Sequence, residues 1–233
     1  KDNGSIDEIK KYARYYNAGI HKMELKSQFR CDGSDGYLAW LDNVLDIRET
    51  ANFDLDSKYD FKVFDDPNEL RKAIEEKNKI NNKSRLVAGY CWNWISEGKN
   101  KSDVYDIVIS KYNFEMSWNL GNSSTWAIDK ESINEIGCMH TCQGLEFDYV
   151  GVIIGDDLRY ENDHIVTDYT KRAKTDQSIK GINKIAQEQG EDEAKRITDI
   201  IIKNTYKTLM TRGMKGCYVF CTNEKLNEYL KNR

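Results

Sequence analysis

The chain has 233 residues, a formal net charge of −4 and 39% hydrophobic residues, which fits one α/β domain and excludes collagen-like, coiled-coil and disordered proteins. No apolar run approaches the roughly 20 residues that a membrane-crossing helix needs, and the first residues lack a signal-peptide pattern. We therefore expect a cytoplasmic protein without membrane contact. Because the charge is mildly negative, any bound nucleic acid has to be held by a local path of basic or hydrogen-bonding groups.

In the first part of the chain, apolar spacing and turn residues predict four elements and one junction. The elements are a helix over Ile6–Tyr16, an extended segment over His21–Phe29, a helix that contains Tyr37 to Leu45 and a strand over Tyr59–Phe64. Arg30 then lies between the extended segment and the helix. It is therefore placed at a strand-to-helix junction.

The next segment carries the strongest local signal for a helix. Asp66 supplies an N-cap, Pro67 the first helical position and Glu69 a capping-box acid, so we predict a helix from Pro67 to about Lys79. Short strands are predicted over Arg85–Tyr90 and Tyr105–Ser110. The aromatic, Asn, Ser and Gly residues of 113–124 predict an irregular surface loop.

The second half of the chain alternates strands and helices. A buried strand is predicted over Tyr149–Gly155, a long insertion or mobile loop over 161–190 and a helix over Glu191–Met210 that stops at Gly213. A strand over Gly216–Cys221 and a helix over Asn223–Lys231 complete the chain. This alternation predicts an α/β fold with a mostly parallel sheet and helices on both faces.

The six cysteines include no C-x-x-C pair, and a chain of this size does not need a disulfide framework, so reduced thiols are expected. Cys138 and Cys142 repeat the spacing of Cys217 and Cys221, which could suggest a four-thiolate zinc site. On a strand, however, residues four apart share a face, and free cysteine behaves as a small buried hydrophobe. Core positions are the better interpretation.

Three segments combine polar and charged side chains at the ends of elements or beside a buried strand. They run from Leu25 to Arg30, from His140 to Asp148 and from Asn204 to Gly213. In their order and separation they resemble motifs IV, V and VI of superfamily 1 helicases. The chain is also similar, over nearly its whole length, to a prokaryotic family of helicase-like ATPases related to the C-terminal helicase region of Schlafen proteins.

This resemblance implies that residues 1–233 form a single RecA-like domain of the P-loop NTPase class, the second of the two such domains in these helicases. It implies a role for Arg212 as an arginine finger and for Arg30 as a second γ-phosphate contact. A guanidinium suits this task because it places positive charge on the γ-phosphate in the transition state. The alternative for either arginine is a surface ion pair.

The resemblance also assigns the segment from His140 to Asp148. Gly144 permits close backbone approach, Glu146 can accept a hydrogen bond from a ribose hydroxyl, and Gln143 takes the place of a lysine found in another helicase branch. His140 and Thr141 correspond to contacts with the nucleic-acid backbone. The alternatives are a loop glycine, a solvated acid and a histidine satisfied within the fold.

Four tryptophans could stack on unpaired bases, as aromatic side chains do in single-strand-binding proteins. They are Trp92, Trp94, Trp118 and Trp126. Nothing in their spacing marks a binding track, and large aromatic residues dominate protein cores. Core packing is therefore preferred.

The chain contains no G-x-x-x-x-G-K-[ST] phosphate-binding loop. Asp156-Asp157 imitates an acidic magnesium site but follows motif V, which predicts a loop acid pair. We therefore expect ATP and Mg²⁺ to be bound mainly by an N-terminal RecA-like lobe outside this chain. The expected partners are that lobe and single-stranded or partly duplex nucleic acid, and no metal site is expected here.

Two other functions are alternatives to this one. A RecA-like lobe without catalysis could serve as a docking module for nucleic acid or protein, but such a module has no electrostatic use for both Glu146 and Arg212. A nuclease could use Asp65-Asp66 and Asp156-Asp157 to bind magnesium. No third carboxylate or lysine lies at a suitable spacing, so the nuclease interpretation is weaker.

Overall fold

The computed structural model describes residues 6–20, 31, 35–51, 55, 59–95, 104–119, 125–142 and 144–233. The helices in this part of the chain are α1 (Ile6–Tyr15), α2 (Asp35–Val44), α3 (Pro67–Asn81), α4 (Ile182–Gln189), α5 (Glu191–Met210) and α6 (Glu224–Lys231). The strands are β1 (Asp60–Val63), β2 (Ser84–Ala88), β3 (Ile107–Ile109), β4 (Phe114–Trp118), β5 (Glu135–Gly137), β6 (Phe147–Ile154), β7 (Leu158–Glu161), β8 (His164–Thr167) and β9 (Gly213–Cys221). The predicted extended segment 21–29 lies outside the described residues.

Seven strands form one sheet in the order β1-β9-β6-β2-β5-β4-β3. Neighbouring strands are parallel except β3, which pairs antiparallel with β4. β7 and β8 form a separate antiparallel hairpin. The mostly parallel α/β fold is confirmed, and its architecture is consistent with a RecA-like domain.

Side-chain alternation along β6 and β9 divides the core between the two faces of the sheet. Val150, Val152 and Ile154 of β6 share one cluster with buried residues of α2, α5 and α6. Ile153 of β6 belongs to the other cluster, together with Leu70 and Ile74 of α3. Helices therefore cover both faces, as predicted, and the central strands are buried between them.

α3 begins where its sequence signal predicts. The Asp66 side chain accepts a hydrogen bond from the Asn68 backbone N–H at 2.8 Å, and Pro67 is the first helical residue. The helix ends at Asn82 in the left-handed conformation, with φ of 59°. Local capping chemistry thus fixes both ends of this helix.

α5 covers residues 191–210 as predicted, and its stripe of Ile202, Tyr206, Leu209 and Met210 is buried. Gly213 is not the helix stop, however. Thr211 caps the helix, and Gly213 begins β9 in register with Phe147 of β6. The turn between helix and strand is therefore only two residues long and contains Arg212.

The prediction of an irregular loop over residues 113–124 is wrong for its first part. Residues 114–118 form β4, in which Phe114, Met116 and Trp118 are buried. Their alternation along the strand places all three in the core cluster that faces α3. In the sequence, the nearby Asn and Ser residues indicated a loop more strongly than this short period-2 pattern indicated a strand.

The segment 161–190 also has more structure than a mobile loop. It contains the end of the β7–β8 hairpin, two short 3₁₀ turns and α4. Arg172, whose side chain is 1% exposed, anchors the segment through buried ion pairs with Asp157 and Asp176. The ion pair with Asp157 connects the segment to the turn after β6.

All six cysteines are free thiols, and five of them are buried. Among the described residues, no group of His, Cys, Asp and Glu side chains could hold a metal ion, so the zinc interpretation has no support there. Trp118 and Trp126 are buried, and Trp92 and Trp94 pack against the core cluster that contains Trp118. None of the helices in the described part of the chain has the length and apolarity to span a bilayer.

Candidate functional site

Arg212 lies in the two-residue turn between α5 and β9, and its residue is only 4% exposed. Its Nη1 donates a hydrogen bond to the Leu145 carbonyl oxygen at 3.2 Å. The Phe147 backbone N–H in turn donates to the Arg212 carbonyl oxygen at 2.8 Å. These contacts join the predicted motif V segment to the predicted motif VI segment. An exposed surface ion pair does not describe this arginine.

The junction is at the amino-terminal edge of the sheet. Phe147 and Gly213 are the first residues of the neighbouring parallel strands β6 and β9. Open α/β sheets usually bind their own ligands at the opposite, carboxyl edge. A ligand contacted by Arg212 would therefore be held mainly by another domain and would contact this domain at the amino edge of its sheet, not in the cleft at the carboxyl edge.

The helix that follows the predicted motif IV is fastened to the same place. Cys31 lies beside the Thr211 carbonyl oxygen, with its Sγ at 3.8 Å, and the buried Tyr37 hydroxyl donates to the Met210 carbonyl oxygen at 3.0 Å. Cys31 follows Arg30 in the sequence, and Thr211 precedes Arg212. Arg30 itself lies outside the described residues.

A cleft of about 540 Å³ separates α2 from the last turns of α5. Asp42, whose side chain is 3% exposed, pairs there with Lys207 and with Arg48, and the Arg48 Nε lies 2.8 Å from the carboxylate. Thr211 also lines the cleft, one residue before Arg212. Asp42 and Lys207 could not be identified from local sequence patterns, because their pairing joins residues 165 positions apart.

The motif V segment contributes two exposed positions at this edge. Gly144 is exposed and has φ of 79°, a left-handed conformation that suits glycine, and a Cβ added there would meet no atom within 4 Å. Glu146 is exposed, so its carboxylate is open to a ligand. Gln143 lies outside the described residues.

Cys142 is buried between these positions and the core. Burial raises the pKa of its thiol, and Cys138 raises it further, while the nearby Arg212 guanidinium opposes both. The thiol is therefore neutral at physiological pH and acts as a small apolar group beneath the turn.

His140 and Thr141 lie at the other end of the same connection. The Thr141 hydroxyl donates to the Asn119 side-chain oxygen at 2.9 Å, and Asn119 directly follows β4. This contact belongs to the carboxyl edge of the sheet, because β4 and β5 are parallel. Thr141 is thus engaged within the fold, whereas His140 is exposed. Asn119, which the sequence did not reveal, positions this turn.

The carboxyl edge also holds a buried charged network around Tyr206. The Tyr206 hydroxyl accepts a hydrogen bond from the Gly155 backbone N–H at 3.0 Å and donates to the Asp157 carboxylate. Asp157 also accepts from Arg172 Nη1 at 3.0 Å, and Arg172 Nε donates to Asp176 at 2.7 Å. Asp156 and Asp157 lie in the turn between β6 and β7, which confirms the predicted loop acid pair, and Asp157 is in addition fully buried.

Electrostatics within this network favour the charged form of Arg172. Burial alone would lower the pKa of Arg172, but the Asp157 and Asp176 carboxylates raise it above its usual value. Burial and then Asp157 raise the pKa of Tyr206, which keeps its hydroxyl protonated. Tyr206 is therefore fixed as a hydrogen-bond donor, and α5 is held six residues before Arg212.

The mostly parallel sheet with helices on both faces places the chain in the α/β class to which RecA-like domains belong. Comparison with known proteins gives the family: residues 1–223 match the family described as Schlafen group 3, DNA/RNA helicase domain. The chain belongs to this family. Its helicase-domain membership indicates a role connected with nucleic acid.

The chain is also similar to protein YPL245W of Saccharomyces cerevisiae, with 29% identity over 224 residues. The similarity covers 88% of this chain and 47% of the yeast protein. The chain thus spans about half the length of this relative.

Proposed function

We propose that the chain is the C-terminal RecA-like half of a superfamily 1 helicase-type ATPase that moves along or remodels DNA or RNA. ATP and Mg²⁺ are bound mainly by a preceding N-terminal lobe, and this chain completes the site. The observation that carries the proposal is the convergence at the Thr211-Arg212 turn, which is contacted by Leu145 and Phe147 of a second segment and by Cys31 of a third.

The proposed chemistry is the stabilisation of charge on the transferred phosphoryl group. Closure of the two lobes brings the amino edge onto the γ-phosphate, and Arg212 turns from the Leu145 carbonyl toward it. A carbonyl is a neutral acceptor, so exchanging it for a phosphate oxygen gives the guanidinium a stronger, charge-assisted hydrogen bond. Arg30 is proposed as the second γ-phosphate contact, which the contact between Cys31 and Thr211 supports.

The remaining motif V residues are proposed to hold the nucleotide. Glu146 is exposed and lies between Leu145 and Phe147, which both contact Arg212. Its carboxylate accepts a hydrogen bond from a ribose hydroxyl. The open space around Gly144 admits the nucleotide close to the backbone, and Gln143 contributes to the same site. Each of these roles follows the helicase resemblance.

Nucleic acid is proposed to bind at the opposite end of the same connection. His140 is exposed there, and Asn119 holds the Thr141 hydroxyl so that the turn keeps a fixed shape. Such contacts position a backbone without reading bases. Residues 138–146 connect the proposed nucleic-acid site to the proposed nucleotide site. A conformational change at one edge of the sheet can therefore be transmitted to the other edge.

The experiment is ATP hydrolysis by a polypeptide that includes the preceding lobe, with and without single-stranded DNA or RNA, compared with this chain alone. The proposal expects polymer-stimulated hydrolysis in the longer polypeptide and none in the isolated chain. Hydrolysis by the isolated chain, or its absence from the longer polypeptide, would contradict the split site.

A docking module is the second candidate, and one observation favours it. In the isolated chain Arg212 is nearly buried and hydrogen-bonds a backbone carbonyl, as an arginine that only supports the fold would do. Nucleic-acid or protein binding by the longer polypeptide without any ATP hydrolysis would support the docking module instead.

A further inference from the structure

A strap of residues 168–178 crosses the carboxyl edge of the sheet. Its inner side is fastened by Arg172, which pairs with Asp157 and with Asp176 of the strap itself. At one end of the strap, Asp168 accepts a hydrogen bond from Arg159 at 3.2 Å. Both strap acids are therefore paired with arginines, which also pair with Glu161 and Asp157.

The outer side of the strap carries exposed cations. Lys171 and Lys174 are exposed, and among the described residues neither forms an ion pair. The Lys174 backbone N–H donates to the Asn93 side-chain oxygen at 3.0 Å, and the Ala173 N–H donates to the Tyr90 carbonyl oxygen at 2.8 Å. These bonds fix the lysines beside the end of β2.

Aromatic side chains continue from the strap along this edge. Tyr90 stacks on Trp118 with ring centroids 5.3 Å apart, and Trp118 directly precedes Asn119, the partner of Thr141. Contacts therefore run without a break from Lys174 to the turn that carries exposed His140.

Two apolar side chains stand exposed at the same edge. Tyr105 is 42% exposed and Ile95 is 52% exposed. They are held together by Asp106, which accepts hydrogen bonds from the backbone N–H groups of Ile95 at 2.7 Å and Trp118 at 2.8 Å. The Asp106 carboxylate is thus used within the fold, and the neighbouring Tyr105 is exposed and available to a flat ligand.

We propose that Lys171, Lys174 and Tyr105 bind single-stranded nucleic acid and extend the contact surface beyond His140. The lysines neutralise phosphates, and the Tyr105 ring stacks on a base, the combination by which proteins hold single strands without sequence preference. This inference rests on the proposed function, because it takes nucleic acid as the ligand. It assigns a role to the strap, which the sequence suggested to be an insertion.

The test measures the binding of fluorescent dT20 and U20 oligonucleotides to the polypeptide with both lobes, at several salt concentrations. Lys174→Ala should weaken binding and make the slope of log K against log salt shallower by about 0.7, the contribution of one phosphate contact in a single strand. Tyr105→Ala should weaken binding roughly 5- to 100-fold with an unchanged slope, because stacking releases no counterions.

The matched control is Lys79→Ala. Lys79 is a lysine with a 69% exposed side chain near the end of α3, and α3 ends at the amino edge before β2. Its replacement should leave both oligonucleotide binding and polymer-free ATP hydrolysis unchanged. If the wild type binds while Lys174→Ala and Tyr105→Ala behave like Lys79→Ala, the surface is wrongly assigned. If the wild type hydrolyses ATP and binds neither oligonucleotide, nucleic acid itself is the wrong partner, and this inference falls with it.

Discussion

Arg172 illustrates how one buried side chain determines a segment that the sequence leaves undefined. Its guanidinium lies between Asp157 and Asp176, and Asp157 also accepts the Tyr206 hydroxyl bond. The three charged side chains are at most 3% exposed. Removing one partner from such a network leaves the remaining charges buried and unpaired. The resulting loss in the free energy of unfolding exceeds what the ion pair itself contributes.

Arg172→Met should therefore lower the free energy of unfolding by about 3–5 kcal/mol, measured by urea denaturation of this chain. The matched control is Arg196→Met, because Arg196 has a 62% exposed side chain and pairs with Glu193 on the surface of α5. The control should change stability by less than about 0.5 kcal/mol. Equal losses in the two variants would show that the buried network does not hold the segment.

The residues of the candidate site differ in how far the sequence predicted them. Arg212 and Gly144 follow from motif order, and the structure places their segments together. Asp42, Asn119 and Arg172 could not be found from the sequence, because each pairs with a residue that is distant along the chain. Asn119 pairs with Thr141, 22 positions away, Arg172 with Asp157, 15 away, and Asp42 with Lys207, 165 away. Local patterns carry no information about such pairings.

At the scale of elements, Gly89 shows how closely α5 approaches the sheet. A Cβ built on Gly89 would lie 2.0 Å from the Tyr206 hydroxyl oxygen and 2.5 Å from the ring carbon that bears it. The same hydroxyl bonds to Gly155 and Asp157. The position of α5 therefore depends on the Tyr206 side chain, which packs directly over Gly89.

Gly89→Ala should destabilise the chain by about 1–3 kcal/mol, because the added methyl group forces Tyr206 out of its network. In a Tyr206→Leu background the same substitution should cost less, which a double-mutant cycle with thermal unfolding measures. Gly19→Ala is the control, since a Cβ there meets nothing within 4 Å. Additive losses at Gly89 and Tyr206 would contradict the contact.

Among the elements, those with a strong local pattern were predicted, whereas β4 and the structure within 161–190 were not. The Asp66 cap and the apolar stripe of α5 predict both helices closely. β4 was missed because its five residues form a strand by pairing with β3 and β5 and by burying Trp118. The segment 161–190 has weak periodicity because its anchor is a buried ion pair rather than an apolar face.

At the scale of the whole molecule, both faces of the sheet are covered, and the burial of the cysteine thiols reflects this. Cys31, Cys138, Cys142, Cys217 and Cys221 are each at most 3% exposed. Burial raises the pKa of the Cys142, Cys217 and Cys221 thiols well above the usual value. Both effects suppress the thiolate that reacts with labelling reagents.

We therefore expect the five buried thiols to resist a disulfide reagent at neutral pH and to react together when urea unfolds the chain. The measurement is the number of thiols labelled against urea concentration, beside circular dichroism. Labelling of Cys142 or Cys217 well below the unfolding transition would show that a face of the sheet opens locally.

The proposed arginine-finger role of Arg212 is tested by ATP hydrolysis in a polypeptide with both lobes. Steady-state ATP hydrolysis is measured for the wild type, for Arg212→Ala and for Arg48→Ala, a matched arginine with a 68% exposed side chain in the neighbouring cleft. We predict a loss of about 10³-fold or more in kcat for Arg212→Ala and near wild-type activity for Arg48→Ala. Wild-type hydrolysis by a folded Arg212→Ala variant would contradict the arginine-finger role and leave the docking module as the better description of this domain.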